Sequence, residues 1–287
     1  MAIIKNGFTR GRIAHLTYSE HNGVQVVKER SKKETYKKTV ATIDCSTVFG
    51  KASNLARYFR ESLGDIYTNF HDSGMSSRLT GMVTDCIRPS LDETNLNFNF
   101  KQESFKRLIG FEFNIKSPLE NQYHVQPTVD YTLNNRVHIQ LPEMKTLKDI
   151  IFPKEVWKCT IVLTCALFDL ENGYYKDAES VSFDVEKTGQ KVIFPVQFAT
   201  FTTQPGCLCI IGISLKFYKE SFLGAVYINN KLFNPCAILS TKIIPGIVNE
   251  SVTQTWEQMQ FKAGRQLTPL PPPPVQLLLG SPNYTAI

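Results

Sequence analysis

From Val48 to Phe70 the apolar positions recur in steps of three and four: Val48, Phe49, Ala52, Leu55, Ala56, Phe59, Leu63, Ile66, Tyr67 and Phe70. Lys51, Arg57, Arg60 and Glu61 fall between them, so the spacing predicts an amphipathic helix. Gly50 and Gly64 weaken that helix without breaking the pattern. A second, shorter helix fits Met75 to Ile87, opened by Asp72 or Ser73 and closed before Pro89.

Beyond Asp92 the period drops to two. "NLNFNF" places Leu96, Phe98 and Phe100 on one face, "GFEFNI" places Phe111, Phe113 and Ile115, and "RVHIQL" places Val137, Ile139 and Leu141. "TIVLTCALF" at 160–168 is apolar on both faces and reads as a central strand. "SVSFDVEK", "KVIFPVQFATF", "CLCIIGISLKFY", "GAVYINN" and "CAILST" continue the series, with "ENG" and "TGQ" as turns. The segment 142–157 interrupts it, either crossing between sheets or dividing the region. Short strands at this spacing predict an antiparallel β-sandwich of about nine strands.

Upstream of the helices, "AHLTYSEHNGVQVVKER" reads as two strands over a tight turn. Asn22-Gly23 supplies the positive φ that a two-residue type I′ turn needs at both positions. Gly7 and Gly11 suggest a bent, irregular lead-in. A two-stranded ribbon is marginal alone in water, so it must lie on some surface. At the other end, Pro271 to Pro274 favour an extended polyproline conformation. Val275, Leu277, Leu278 and Leu279 follow, apolar and too few for a core. They are expected to dock on a β surface, their own or a neighbour's.

The fold expected is mostly β, α+β overall. Residues 1–38 form a basic β-hairpin arm, 39–90 a helical segment, 91–248 the sandwich with its possible division near 142–157, and 249–287 a Pro-rich extended tail.

Charge adds to this picture. Of the net +6, residues 1–60 carry twelve Lys or Arg against four Asp or Glu, a balance of +8 that leaves −2 for the rest. The arm cations Lys28, Arg30, Lys32, Lys33, Lys37 and Lys38 suit phosphates or an acidic protein surface. Tyr18 and Tyr36 are available to stack on bases, but Glu29 and Glu34 interrupt the run and nothing resembles a recognition helix.

Candidate chemistry is sparse. The seven cysteines have no C-x-x-C spacing and most sit in apolar stretches, which points to buried thiols in a reducing compartment. His15, His21, His71, His124 and His138 are scattered without metal-ligand spacing. No nucleotide-binding or hydrolase motif occurs. The nearby carboxylates, Asp169 with Glu171 and Asp184 with Glu186, lie at turns or on polar strand faces. No catalytic residue, metal ligand or cofactor is expected. Neither a secretory leader nor a ~20-residue apolar run is evident, so cytoplasmic synthesis is expected, with the cytoplasm or an assembled particle as destination.

"IKNGFTRGRIAHLTYSEHNGVQVVKER", followed by "FGKASNLARYFRESL" and "SSRLTGMV", resembles a family of bacterial proteins of unknown function found mainly in Bacteroidota. Its members open with a glycine-containing lead-in, a hairpin and a helix rich in small and aromatic residues, and their second half is β-rich. "IAHLTYSE" departs from the glycine and valine more usual there. The resemblance implies no activity.

The expectation is a non-enzymatic structural or assembly protein, a component of a filament, shell or phage-like particle. It self-associates as a homo-oligomer through arm and tail. The alternatives are a nucleic-acid-binding protein using the basic arm, and a monomeric β-sandwich binding module.

Overall fold

The computed structural model describes residues 2–21, 23–29, 40–92, 97–132, 135–146, 148–187, 193–222, 224–261 and 267; at 40–45 and 132 it describes the backbone alone. The chain divides into two compact units, Met1–Asp44 and Cys45–Ile287.

The first unit is a four-stranded antiparallel meander: β1 (Ala2–Lys5), β2 (Phe8–Ile13), β3 (Leu16–His21) and β4 (Val24–Glu29), paired in that order. The expected hairpin is its second half, with His21 opposite Val24 across a two-residue loop. The expected irregular lead-in is corrected. Asn6 and Gly7 take φ of 53° and 80° and close a second hairpin, with Lys5 opposite Phe8. Glycine spacing suggested a bend where it supplied a turn.

The second unit is a mostly β sandwich with a helical layer. α1 (Val40–Ser62), α2 (Gly64–Tyr67) and α3 (Met75–Ile87) come first. The long helix expected to Phe70 therefore ends at Ser62, and α2 is a separate turn after Leu63. Val48, Ala52, Leu55, Ala56 and Phe59 are buried as their spacing demands, whereas Phe49 is exposed. Asp72 accepts the N–H of Gly74 just ahead of α3 and also holds Arg78.

Residues 88–127 depart from expectation. "NLNFNF" and "GFEFNI" are not strands: the described part of the first makes only the bridge Leu91–Phe98, and the second only Glu112–Ala237. Three 3-10 turns of three residues each punctuate this stretch. The alternation still sorts the side chains, for Phe111 and Phe113 are buried and Ile115 is exposed. Phe98 and Phe100 stack on each other against the helical core.

The sheets follow. β5 (Thr128–Thr132) and β6 (Arg136–Leu141) pair, and β7 (Met144–Lys145) lies in the 142–157 connection. β8 (Val156–Asp169) and β9 (Tyr174–Glu186) form a long hairpin. Pro195 lacks an N–H and separates β10 (Ile193–Phe194), which pairs with β7, from β11 (Gln197–Thr202), which pairs with β6. β12 (Leu208–Ser221), β13 (Gly224–Tyr227) and β14 (Cys236–Ile243) precede a single helical turn, α4 (Glu250–Thr253), and β15 (Glu257–Gln258). The large antiparallel sheet runs β13-β12-β8-β9-β15, with β14 also on the β13 side of β12; the small one runs β11-β6-β5. The 142–157 segment thus carries the chain from the small sheet to the large one.

β8 pairs along nearly its whole length on both sides, as its unbroken apolar run requires. Its odd-numbered side chains Ile161, Leu163, Cys165 and Leu167 meet Val137, Ile139 and Phe201 of the small sheet in one core. Ala166 and Phe168 face the other way, into the helices, where the Phe59 ring meets Phe168 edge-on at 4.7 Å. α2 packs closely on β12 at Gly212, where a Cβ would lie 2.0 Å from Ile66 Cδ1, so a larger residue there requires the Ile66 side chain to move.

Candidate functional site

The meander differs from every other sheet in the chain: none of its described side chains is buried. Ile3, Ile4, Ile13, Val24 and Val27 are about half exposed or more, Ile4 the most at 77%. Strand propensity explains why these residues form strands, but a sheet needs an apolar face covered by something else to be stable. Polar contacts replace part of that support. Arg10 pairs with Glu20. The β2–β3 ladder spans only Gly11–Ile13 against Leu16–Tyr18, and Gln25 serves the backbone beyond it. Its side-chain oxygen accepts the Thr9 N–H at 2.8 Å, and its amide donates to the carbonyls of Thr9 at 3.0 Å and Ser19 at 2.9 Å. Among the described residues β1 pairs only with β2, and β4 only with β3, so both outer edges present unpaired backbone groups.

Of the residues singled out from sequence, Gly23 occupies the β3–β4 loop with φ 78°, and Lys28 lies exposed on β4. Asn22, Arg30, Lys32, Lys33, Lys37, Lys38, Val275, Leu277, Leu278 and Leu279 lie outside the described residues. The structure therefore brings Gly23 and Lys28 onto one hairpin, while the first residues of the expected tail are not extended but form α4 and β15, the latter paired with β9. Sequence reasoning missed the β1–β2 hairpin, although "IIKNGF" carries the same Asn-Gly signal.

Asp169, Asp184, His124 and His138, weighed for catalysis or metal binding, have structural partners. The buried Asp169 carboxylate accepts the N–H groups of Glu171 and Asn172 and the Asn172 side chain, and so shapes the β8–β9 turn. Asp184 bonds Lys158 and Thr160 across the ladder; burial works against its charge, but those bonds prevail and its pKa is lowered. His138 meets Thr200 across β6 and β11, and His124 meets the Lys148 carbonyl. Cys86, Cys159, Cys165, Cys207, Cys209 and Cys236 are buried free thiols. Burial pushes Cys86 up to about 11 and Cys207 up to about 12, away from the reactive thiolate. Among the described residues no three His, Cys, Asp or Glu side chains converge as metal ligands. No described helix is long and apolar enough to cross a membrane.

A half-buried carboxyl that sequence did not flag is Glu112. It lines an open pocket of about 240 Å³ between the 109–127 segment and strands β12 and β14. Its Oε1 accepts the Leu119 N–H at 3.0 Å, while its buried Oε2 has no hydrogen-bond partner among the described residues. Burial pushes this carboxyl up to about 7; the Glu120 charge adds to the rise, and the Leu119 N–H and the Arg78 charge oppose it. "GFEFNI" hides it, because alternation assigns Glu112 to a polar, solvated face.

No family model matches the chain, and no curated protein or solved structure is similar to it.

Proposed function

We propose that the protein is a non-enzymatic structural or assembly protein whose N-terminal meander is completed by a second copy of the chain. The observation that supports this reading is a four-stranded sheet with no buried described side chain, two open edges and exposed Ile and Val. Each such side chain, if fully buried, contributes roughly 1.5–3 kcal/mol before ordering costs.

A second copy suits the geometry. With an even number of strands, β4 and the β1 of a like-oriented neighbour run in opposite directions. Joining them continues the antiparallel ladder and propagates head to tail, as filaments and rings require. The apolar tail residues Val275, Leu277, Leu278 and Leu279 belong to the same proposal, as a second connector. So does kinship with the Bacteroidota family, which rests on the N-terminal residues quoted above.

The test is light-scattering mass for the wild type and for a variant carrying Ile3→Lys, Ile4→Lys, Val24→Lys and Val27→Lys. These side chains are exposed in the protomer, so the near-UV circular dichroism of the body should be unchanged. The wild type should exceed the protomer mass of 32.6 kDa and the variant should not. Salt-sensitive binding of random-sequence DNA or RNA by a wild-type protomer of 32.6 kDa would instead select the nucleic-acid reading.

A further inference from the structure

A groove of about 700 Å³ opens on the body between residues 97–101, the end of the β8 strand and the 243–248 segment that follows β14. Its apolar walls are Phe98, Phe100, Leu170, Ile243 and Ile247. Phe98 and Phe100 stack with centroids 5.5 Å apart and planes within 7°, and Lys51 Nζ lies 5.0 Å over the Phe98 ring, so the two rings form a fixed aromatic wall. Ile247 is 89% exposed. The charged residues of the lining are Lys101 and Glu171, one of each sign, so the groove favours neither an anion nor a cation.

We propose that this groove holds the polyproline run of its own chain, residues 269–274. Three features of the chain select this occupant. The first is where the run begins. Leu267 is buried in the same hydrophobic cluster as Leu170, against which Phe98, Phe100 and Ile243 also pack, so the chain is anchored in this core two residues before Pro269. The second is its chemistry. Pro269 with Pro272 and Pro271 with Pro274 each have the P-x-x-P spacing that docks in aromatic-lined grooves, and a polyproline helix is already extended before it binds, so little ordering cost opposes docking. The third is charge. Residues 268–287 contain no Asp, Glu, Lys or Arg, which matches a groove without a dominant sign.

The dimensions agree. At about 3.1 Å per residue the six residues 269–274 span roughly 19 Å. A groove of about 700 Å³ lies within the range of clefts that take a ligand of a few residues, so part of the run seats and the remainder leads outward. Docked prolines would fix the point from which Val275, Leu277, Leu278 and Leu279 leave the body. This docking needs no second copy, so it stands or falls apart from self-association.

The test is amide exchange by mass spectrometry on the full-length protein and on a variant carrying Pro269→Gly, Pro271→Gly, Pro272→Gly and Pro274→Gly. The substituted residues lie outside the described body, so its circular dichroism should be unchanged. Exchange at residues 97–101 and 246–248 should be about fivefold or more faster in the variant, with β8 and β12 unaffected. A synthetic peptide of residues 268–276 should restore protection to the variant saturably. The same peptide with glycine at the proline positions should not, and neither should a peptide of residues 275–287. Ile247→Lys, added to the variant at an exposed position, should weaken the rescue. In the wild type the protection should be the same at every protein concentration. Exchange in the groove that the proline substitutions leave unaltered overturns the proposal. So does rescue by the glycine peptide, or rescue by residues 275–287, which would give the groove to the leucines. Protection lost on dilution would assign the prolines to a neighbour's groove and overturn docking within one chain.

Discussion

At the level of single residues, polar groups inside the body set its pH response and its uniqueness. Glu112 has a folded pKa of about 7, raised from 4.5 by burial first. A raised carboxyl gives stability that is fully present below the unfolded value and is lost as pH rises through about 7. Glu112→Gln should therefore be near neutral at pH 4 and stabilising by about 2 kcal/mol at pH 8, measured by urea unfolding. Asp72 has the opposite sign. Burial works against its charge, but bonds from Arg78, Ile115 N–H and Gly74 N–H lower its pKa, so its contribution is present above the ordinary carboxylate range and lost on acidification. Asn229 and Asn234 form a buried polar pair. Asn229 bonds Phe217 N–H, the Leu215 carbonyl and Asn234, which in turn donates to the carbonyls of Tyr67 and Phe70. Asn234→Ala removes one of two donors from each carbonyl, which keep the Phe70 N–H and the Asn114 amide, and takes the Asn234 acceptor from Asn229; it should cost about 1–3 kcal/mol in urea unfolding. None of this was legible in "YINNKLFNPC", where polar residues read as a solvated loop. Their burial is created by α2 and β12, which meet only in the folded chain.

Local elements were readable where one pattern sufficed. α3 matches its expected span because Pro89 and the apolar steps agree. β8 was legible from its unbroken apolar run, and the β3–β4 hairpin from Asn22-Gly23. Replacing that pair with Val-Val should slow or abolish formation of the hairpin, since β-branched residues resist positive φ. Amide exchange at Leu16 and Val26 would then rise to the rate of an unstructured peptide; unchanged protection would refute the turn's role. Residues 97–115 were misread because alternating Phe and Asn imitate a strand, whereas only 110–113 bond the edge of β14 and Phe98, Phe100, Phe111 and Phe113 pack in the helical core. Gly212 gave no sequence signal, since its requirement comes from Ile66 across two layers. Gly212→Ala should destabilise by about 1–3 kcal/mol, and Ile66→Val, which removes the clashing Cδ1, should recover part of that loss in a double-mutant cycle.

For the whole molecule, the fold class was legible from periodicity: an antiparallel, mostly β sandwich with helices beneath one face. The extent of the N-terminal sheet was not, because glycine marks bends and turns alike. That sheet carries the central claim, for it has strands, edges and exposed apolar side chains but no buried described residue. The most direct test is amide hydrogen exchange of β1 and β4 in the full-length protein, followed by mass spectrometry at high and low protein concentration. Self-association predicts that β1 and β4 are protected when concentrated and lose protection on dilution, while β8 and β12 in the body stay protected throughout. Exchange of β1 and β4 that is the same at every concentration would contradict it.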